Sequence, residues 1–480
     1  MNSQSISTPA QLSLKKILPV MLLVQLLFFL LVMLAPIKIT VVVLSGIAVI
    51  IIYLVTPNPL ITSIILSVVV AIILPQSFGR ALGIKIEEIF PVVTLFFLIL
   101  TYLQNDYDKQ LTSRVTTNQI GKMGYWLLAF LGVIFISAVM GLIKDRTKIL
   151  VIDEWMMFFA WGFYFVVIKS NISDESIKYI LYTIIISSVL VSLYYIFEFR
   201  SLSGIARFRT DQQHIFNVTI PLLFAVFLYH TKKPIKTLAI VLIIPMIIAV
   251  YITLTRALWL LIPLALIFQY FYYIRSNIRY AKIGQWLFPV LIIGTIVVVG
   301  LFLLNQMLGV QNLLGGRLAT FKFLEYDPSL LARVELGYYV LQRFQAAPLF
   351  GTGLADFLRY LYYPTLGRFN VYWLDNSFLQ LIWKTGLVGL FVFSIFIFYF
   401  LKRCWFVLKN ALNQTDKILG SSMLFSFIAL VISSFQCAIL VGYRFNFVWA
   451  VLFAIIEIRA QQIKAIKKSA GLAINPEIAK

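Results

Sequence analysis

The chain has 480 residues, of which 61% are hydrophobic and only 12% charged, with a mean hydropathy of +0.94. Soluble domains hold nearer half apolar and a quarter charged residues, so this composition excludes a soluble globular protein and points to a polytopic membrane protein. Forty Lys and Arg against 19 Asp and Glu leave a net charge of +21. Spread over the loops between apolar runs, that excess suits anionic lipids or a phosphorylated substrate rather than a nucleic acid.

Crossing about 30 Å of hydrocarbon takes roughly 20 apolar residues in a helix. Fourteen runs qualify, near 17–35, 39–55, 60–75, 89–103, 124–143, 151–168, 178–197, 215–230, 236–252, 257–274, 285–304, 376–402, 419–440 and 444–458. With the third and fourth short enough to be broken or re-entrant, the expectation is an all-α bundle of about 12–14 transmembrane helices. The first run follows Lys15 and Lys16 and is longer than a signal-peptide core, so it reads as a retained span. Cys404 and Cys437 lie in or beside apolar runs and suggest neither a disulfide framework nor a metal site.

With the N-terminus cytoplasmic, the inner loops carry Lys232, Lys233 and Lys236, then Arg275, Arg279 and Lys282, then Lys402, Arg403, Lys409 and Lys417. This is the positive-inside pattern. Both termini are then cytoplasmic, and the longest connection, 305–375, is extracytoplasmic. The chain divides into a membrane bundle over 1–304, this loop over 305–375, a second bundle segment over 376–460 and a tail over 461–480. Within the loop, Leu330, Val334, Tyr338, Leu341 and Phe344 fall at helical spacing, so Ser329 to Phe344 is expected to form an amphipathic helix along the membrane surface.

Three clusters call for a chemical reason. The apolar run Val241 to Phe268 is too long for one untilted span and is broken by Thr253, Thr255 and Arg256, which places a tight outer turn there. Arg256 at that edge either faces a partner or wet cavity, or snorkels to headgroups. A second outer cluster, Arg200, Arg207 and Arg209, precedes Asp211, His214 and Asn217. Guanidinium groups fork onto phosphate oxygens, so Arg209 and Arg256 are candidates to clamp a diphosphate, with Arg207 and His214 as further candidates; a lone histidine is more often structural.

The third cluster is Asp375-Asn376, nine residues, then Gly386-Leu387-Val388-Gly389. Upstream of it lie Arg333, Arg343 and Pro348-Leu349-Phe350-Gly351-Thr352-Gly353. Asp375 reads either as a helix N-cap or as a general base, and the glycines as helix packing or close backbone approach. A carboxylate beside arginines suits inverting glycosyl transfer, in which a base takes the acceptor proton while cations stabilise the departing diphosphate. Tyr362, Tyr363 and Tyr372 are either sugar-stacking groups or interfacial anchors.

In this order, Thr255-Arg256-Ala257 opening a span, an arginine before Pro-Leu-Phe-Gly-x-Gly, and Asn376-x9-Gly-x-x-Gly, the motifs resemble the bacterial O-antigen ligase/polymerase family over roughly residues 205–400. The resemblance implies a GT-C-like membrane glycosyltransferase bundle with one large extracytoplasmic loop containing short helices. It further implies a plasma-membrane location and glycosyl transfer from an undecaprenyl-diphosphate-linked oligosaccharide to a second lipid-linked glycan, with no cofactor and no metal. Membrane lipids, a chain-length regulator and a flippase are the further partners it suggests. Where the family's ligases carry histidine directly before the Asn, this sequence has Asp375. The polymerase branch is therefore the better fit, and a ligase using lipid A–core or another acceptor is the alternative. On that reading Asp375 is the base, Asn376 positions it, and Arg209, Arg256 and Arg333 bind the diphosphate, with Arg343 a further candidate. A lipid-linked oligosaccharide flippase is the rival of another class; it should spread charges through its spans, whereas here they concentrate in the 305–375 loop, Asp153 and Glu154 being the main exception among the earlier apolar runs.

Overall fold

The computed structural model describes residues 59–73, 120–169, 172–201, 211–253, 255–276, 328–362, 367–435, 440 and 443–471. The expected spans at 17–35, 39–55, 89–103 and 285–304 lie outside the described residues. The rest is a multi-pass bundle of α-helices. In chain order these are α1 (Pro59–Ile73), α2 (Lys122–Ile143), α3 (Lys148–Phe159), α4 (Phe163–Lys169), α5 (Asp174–Ser201), α6 (Phe216–Tyr229), α7 (Lys233–Ile252), α8 (Arg256–Ser276), α9 (Pro328–Ala346), α10 (Ser377–Lys409), α11 (Gln414–Ser433) and α12 (Tyr443–Ser469). A 3₁₀ turn at Ala160–Gly162 joins α3 to α4, which together make one membrane-crossing length. Among the described residues nine helical segments are long and apolar enough to cross a bilayer. The protein is an all-α polytopic membrane protein.

Helix α12 is the hub, with every residue from Phe445 to Ala460 buried. It packs against α4, α10, α3 and α1. Aromatic rings knit the contact: Phe453 stacks on Trp161 at 5.1 Å between centroids and meets Phe400 at 4.1 Å and Phe427 at 4.7 Å. A helix apolar all round belongs in the centre of such a bundle, and α12 can hold Glu457 and Arg459 there because each is paired. Arg403 Nε lies 2.9 Å from Glu457, while Arg459 bridges Asp416 on α11, at 2.6 Å, and Asp174 on α5.

Two helix boundaries and one added element differ from the sequence expectation. The penultimate span is Gln414–Ser433 rather than 419–440, because Asn413 caps it, its Oδ1 accepting from Asp416 N at 2.9 Å, and Asp416 finds Arg459. The last helix runs on to Ser469 rather than ending near 458, with Ile463 buried beside Phe406 and Val407 of α10. The stretch before α10 also contains an antiparallel hairpin that helical periodicity did not announce, β1 (Leu358–Tyr362) with β2 (Gly367–Val371), in register Leu358 with Val371 and Tyr362 with Gly367. The amphipathic helix expected over Ser329–Phe344 is α9. It sets Val340 against Leu358, Leu374 and Trp383 and leaves Leu331, Val334, Tyr338 and Leu341 exposed.

Candidate functional site

At one end of the bundle the chain gathers the α2–α3 turn, the residues just before α6 and α8, the segment from α9 to α10, and the turn after α11. All of these were expected on the outer side. The two glycine motifs found separately in sequence meet here. Gly386 interrupts α10 with φ +66° and ψ −163°, and the freed amides of Leu387 and Val388 donate to the carbonyls of Pro348 and Leu349. In return Thr352 N and Gly353 N donate to the carbonyls of Trp383 and Lys384. The contact is too close for a side chain: a Cβ on Gly386 would lie 2.3 Å from Leu349 O, and one on Gly351, itself at φ +70°, 2.6 Å from Gly386 N. Both positions therefore need glycine for conformation and for space.

Beneath this junction lies a buried ionic cluster. Lys384 Nζ donates to Glu154 Oε1 at 2.9 Å and to Asp356 O at 2.6 Å, and Ala355 N donates to Glu154 Oε2 at 2.8 Å. Trp383 Nε1 donates to Asp356 Oδ2 at 2.9 Å, and Arg146 from the α2–α3 turn lies 2.5 Å from Asp356 Oδ1. Arg343 on α9 stands 4.0 Å from Asp356, so this candidate diphosphate ligand is oriented toward the structural carboxylate. Buried charges persist when each is paired and hydrogen-bonded. In sequence Glu154 stands out as an intruder in an apolar run, but Lys384, Arg146 and Asp356 were not expected to join it. The available signal was Lys384 itself, a charge inside the apolar stretch between Asn376 and Gly386.

The start of α10 settles which residue caps it. Asn376 Oδ1 accepts from Phe378 N and Leu379 N, both at 3.0 Å, while its Nδ2 donates to Phe435 O at 2.9 Å, tying the helix to the turn after α11. Both ends of the Asn376 amide are thus used in holding the helix start. Asp375 does not have to cap. Its carboxylate is 58% exposed and stands 3.6 Å from the Arg333 guanidinium of α9, which is 37% exposed. Solvent reaches both.

Helix α6 is entered through a 3₁₀ turn, Asp211–Ile215. Within it Gln212 Nε2 donates to Ile73 O, and Gln213 Oε1 accepts from Thr255 Oγ1 at 3.0 Å, so the approach to α6 is fastened to the residue before Arg256. His214 stands edge-on to Phe445 with 6.2 Å between ring centroids, within electrostatic reach of Asp375. Arg256 begins α8, as the expected tight turn requires, but its side chain lies outside the described set. Arg207 and Arg209 lie outside the described residues, as does Tyr363, and the side chain of Tyr362 is likewise undescribed. Tyr372 packs against Phe357 at 5.8 Å. Arg333, Asp375, Asn376 and His214 thus gather at one end, where α8 also starts. Among the described residues no group of three or more His, Cys, Asp or Glu side chains comes together as a metal site.

Fold and site together define a multi-pass membrane protein that carries a solvent-reached polar site at one end of its bundle. Residues 238–394 match the family model described as O-antigen ligase. That match supports a membrane protein of the O-antigen ligase/polymerase family and glycosyl transfer of the O-antigen ligase type, on lipid-linked glycans. The matched stretch runs from α7 into α10 and includes Arg256, Arg333, the interlocked glycine motifs and Asp375, while Glu154, Arg146 and the 3₁₀ turn with His214 lie before it. No curated protein matches the chain.

Proposed function

We propose that the protein polymerises polysaccharide repeat units, transferring a glycan from undecaprenyl diphosphate to a second lipid-linked glycan on the extracytoplasmic side of the plasma membrane. The observation that carries this reading is the solvent-reached pair of Asp375 and Arg333, 3.6 Å apart, at the bundle end where the α8 start is fastened. Asp375 takes the proton of the acceptor hydroxyl as its oxygen attacks the anomeric carbon. The bond from that carbon to the diphosphate breaks, and the electron pair leaves with undecaprenyl diphosphate. Arg256 and Arg209 bind the diphosphate, and Arg333 completes the cationic surface or orients the acceptor. Guanidinium groups fixed where anionic charge develops stabilise the transition state more than any other contribution open to such a site. Attack on the face opposite the departing diphosphate inverts the anomeric centre, and arginines take the part a metal would play.

The test is reconstitution in liposomes with a lipid-linked single repeat unit and no other acceptor, followed by separation of products by size. A ladder of longer lipid-linked chains is the expected result. Glycosylation only of an added lipid A–core or protein acceptor would make it a ligase, and movement of the donor between leaflets without transfer would make it a flippase.

A further inference from the structure

Asn217, in the first turn of α6, is 1% exposed, and neither its Nδ2 nor its Oδ1 has a hydrogen-bond partner. Native structures rarely leave a buried amide unpaired, since each orphaned group keeps its full desolvation penalty. The neighbours show where this amide lies. Gln213, four residues earlier, bonds Thr255 at the start of α8. His214, three residues earlier, meets Phe445 at the start of α12, and its Nδ1 is also buried and unpartnered. Asn217 therefore sits at the head of α6, directly after the 3₁₀ turn whose Gln213 and His214 reach the starts of α8 and α12, at the end of the bundle that holds Asp375.

The chemistry of the orphaned atoms narrows the ligand. An asparagine amide offers a donor and an acceptor side by side. An isoprenoid chain can use neither. A diphosphate presents acceptors alone and would set its oxygens against Oδ1. A sugar ring supplies the matching pair, either as vicinal hydroxyls or as an acetamido group. We propose that Asn217, with His214 three residues before it, forms a sugar-recognition subsite that binds a ring of the lipid-linked glycan through a paired donor and acceptor. The inference rests on the glycosyl-transfer reading for its ligand, but it assigns sugar recognition to a residue that lies before the matched family region.

The experiment is an equilibrium binding comparison in nanodiscs with two probes: the lipid-linked repeat unit extracted from the host cell's membranes, and undecaprenyl diphosphate without sugar. Asn217→Leu removes both polar ends at nearly constant volume, and Asn217→Asp keeps the size and an acceptor in case the first variant folds poorly. Affinity for the glycolipid should fall about tenfold in Asn217→Leu and less in Asn217→Asp, with affinity for the sugar-free lipid unchanged and the melting temperature equal or higher. Unchanged glycolipid affinity, or equal weakening of both probes, would overturn the subsite and leave an amide satisfied by water. An Asn217-dependent preference for the sugar without any elongation would instead sink the polymerase reading and keep the subsite. A product ladder with Asn217-independent affinity would do the reverse.

Discussion

Lys384 and Glu154, 230 positions apart in the chain, form a buried ion pair at 2.9 Å that pins the kinked start of α10 to α3. Each end is further held, Lys384 by the Asp356 carbonyl and Glu154 by the Ala355 amide, so the pair also fixes the segment that follows the Gly351–Gly353 turn. Removing one member of a buried pair strands the other charge, at about 3–5 kcal/mol, whereas replacing both together is close to neutral. Lys384→Met should therefore lower the melting temperature of the detergent-solubilised protein sharply. The double variant Glu154→Gln with Lys384→Met should recover most of the loss. A double variant as unstable as the sum of the singles would show that the two side chains do not depend on each other.

The interlocked glycines make a second prediction with a built-in control. Gly386→Ala must force a Cβ to within 2.3 Å of a backbone carbonyl at a positive φ, so neither the side chain nor the loop can relax cheaply. Loss of folded protein and of activity is expected, measured by size-exclusion yield and by the elongation assay. Gly132→Ala, in the middle of α2 with nothing within 4 Å of the added Cβ, should leave both unchanged. Equal tolerance of the two substitutions would mean that the Pro348–Gly353 turn does not pack on the α10 kink.

Asp375 and Asn376 are adjacent but should separate by phenotype. Asn376→Ala removes the helix cap and the link to Phe435, so it should cost about 1 kcal/mol or more in stability. Asp375→Asn keeps size and polarity beside Arg333 but removes the base, so elongation should vanish with the melting temperature unchanged. If Asp375→Asn retains wild-type turnover, the carboxylate is not the base.

What the sequence made legible, and what it hid, follows from the range of the forces involved. Apolar run length fixed the spans between Lys122 and Ser276 to within a few residues, because a helix in lipid satisfies its own backbone and needs no distant partner. The break at Thr253–Thr255 and the amphipathic helix before Pro348 were equally local signals. The buried cluster was not legible. Arg146 and Glu154 lie more than 200 positions from Asp356 and Lys384, and nothing near either pair names the other. Likewise sequence alone offered Asp375 as the cap of α10, and only the backbone direction gives that role to its neighbour Asn376. The early start of α11 escaped hydropathy because Asp416, a polar residue in its first turn, is held by Arg459 of α12.

The exposed stripe of α9 predicts how that helix meets the membrane. Leu331, Val334, Tyr338 and Leu341 lie on its solvent-reached face, and the exposed apolar series continues through Leu349 and Phe350 to Leu387 and Phe391 on α10, itself a membrane-spanning helix. Apolar surface of this extent is covered by lipid in an amphipathic helix lying in the interface. A nitroxide at Val334→Cys, in a chain whose Cys404 and Cys437 are replaced by alanine, should be more accessible to oxygen than to a water-soluble relaxation agent once the protein is in liposomes. The reverse order would place α9 in the aqueous phase.

The arginine that opens α8 carries the sharpest chemical test. Thr255 is fastened to Gln213, so the backbone of Arg256 is held at the same end of the bundle as His214 and Asp375. A guanidinium there can fork onto two oxygens of a diphosphate, whereas an ammonium binds as a point charge. Arg256→Lys preserves charge and so should preserve folding, but elongation in liposomes should fall at least tenfold, with weaker binding of sugar-free undecaprenyl diphosphate. The second readout matters because a headgroup-snorkelling arginine would tolerate lysine in both assays. Wild-type turnover in Arg256→Lys would remove the clamp from the mechanism and leave Arg333 as the cation beside the reacting atoms.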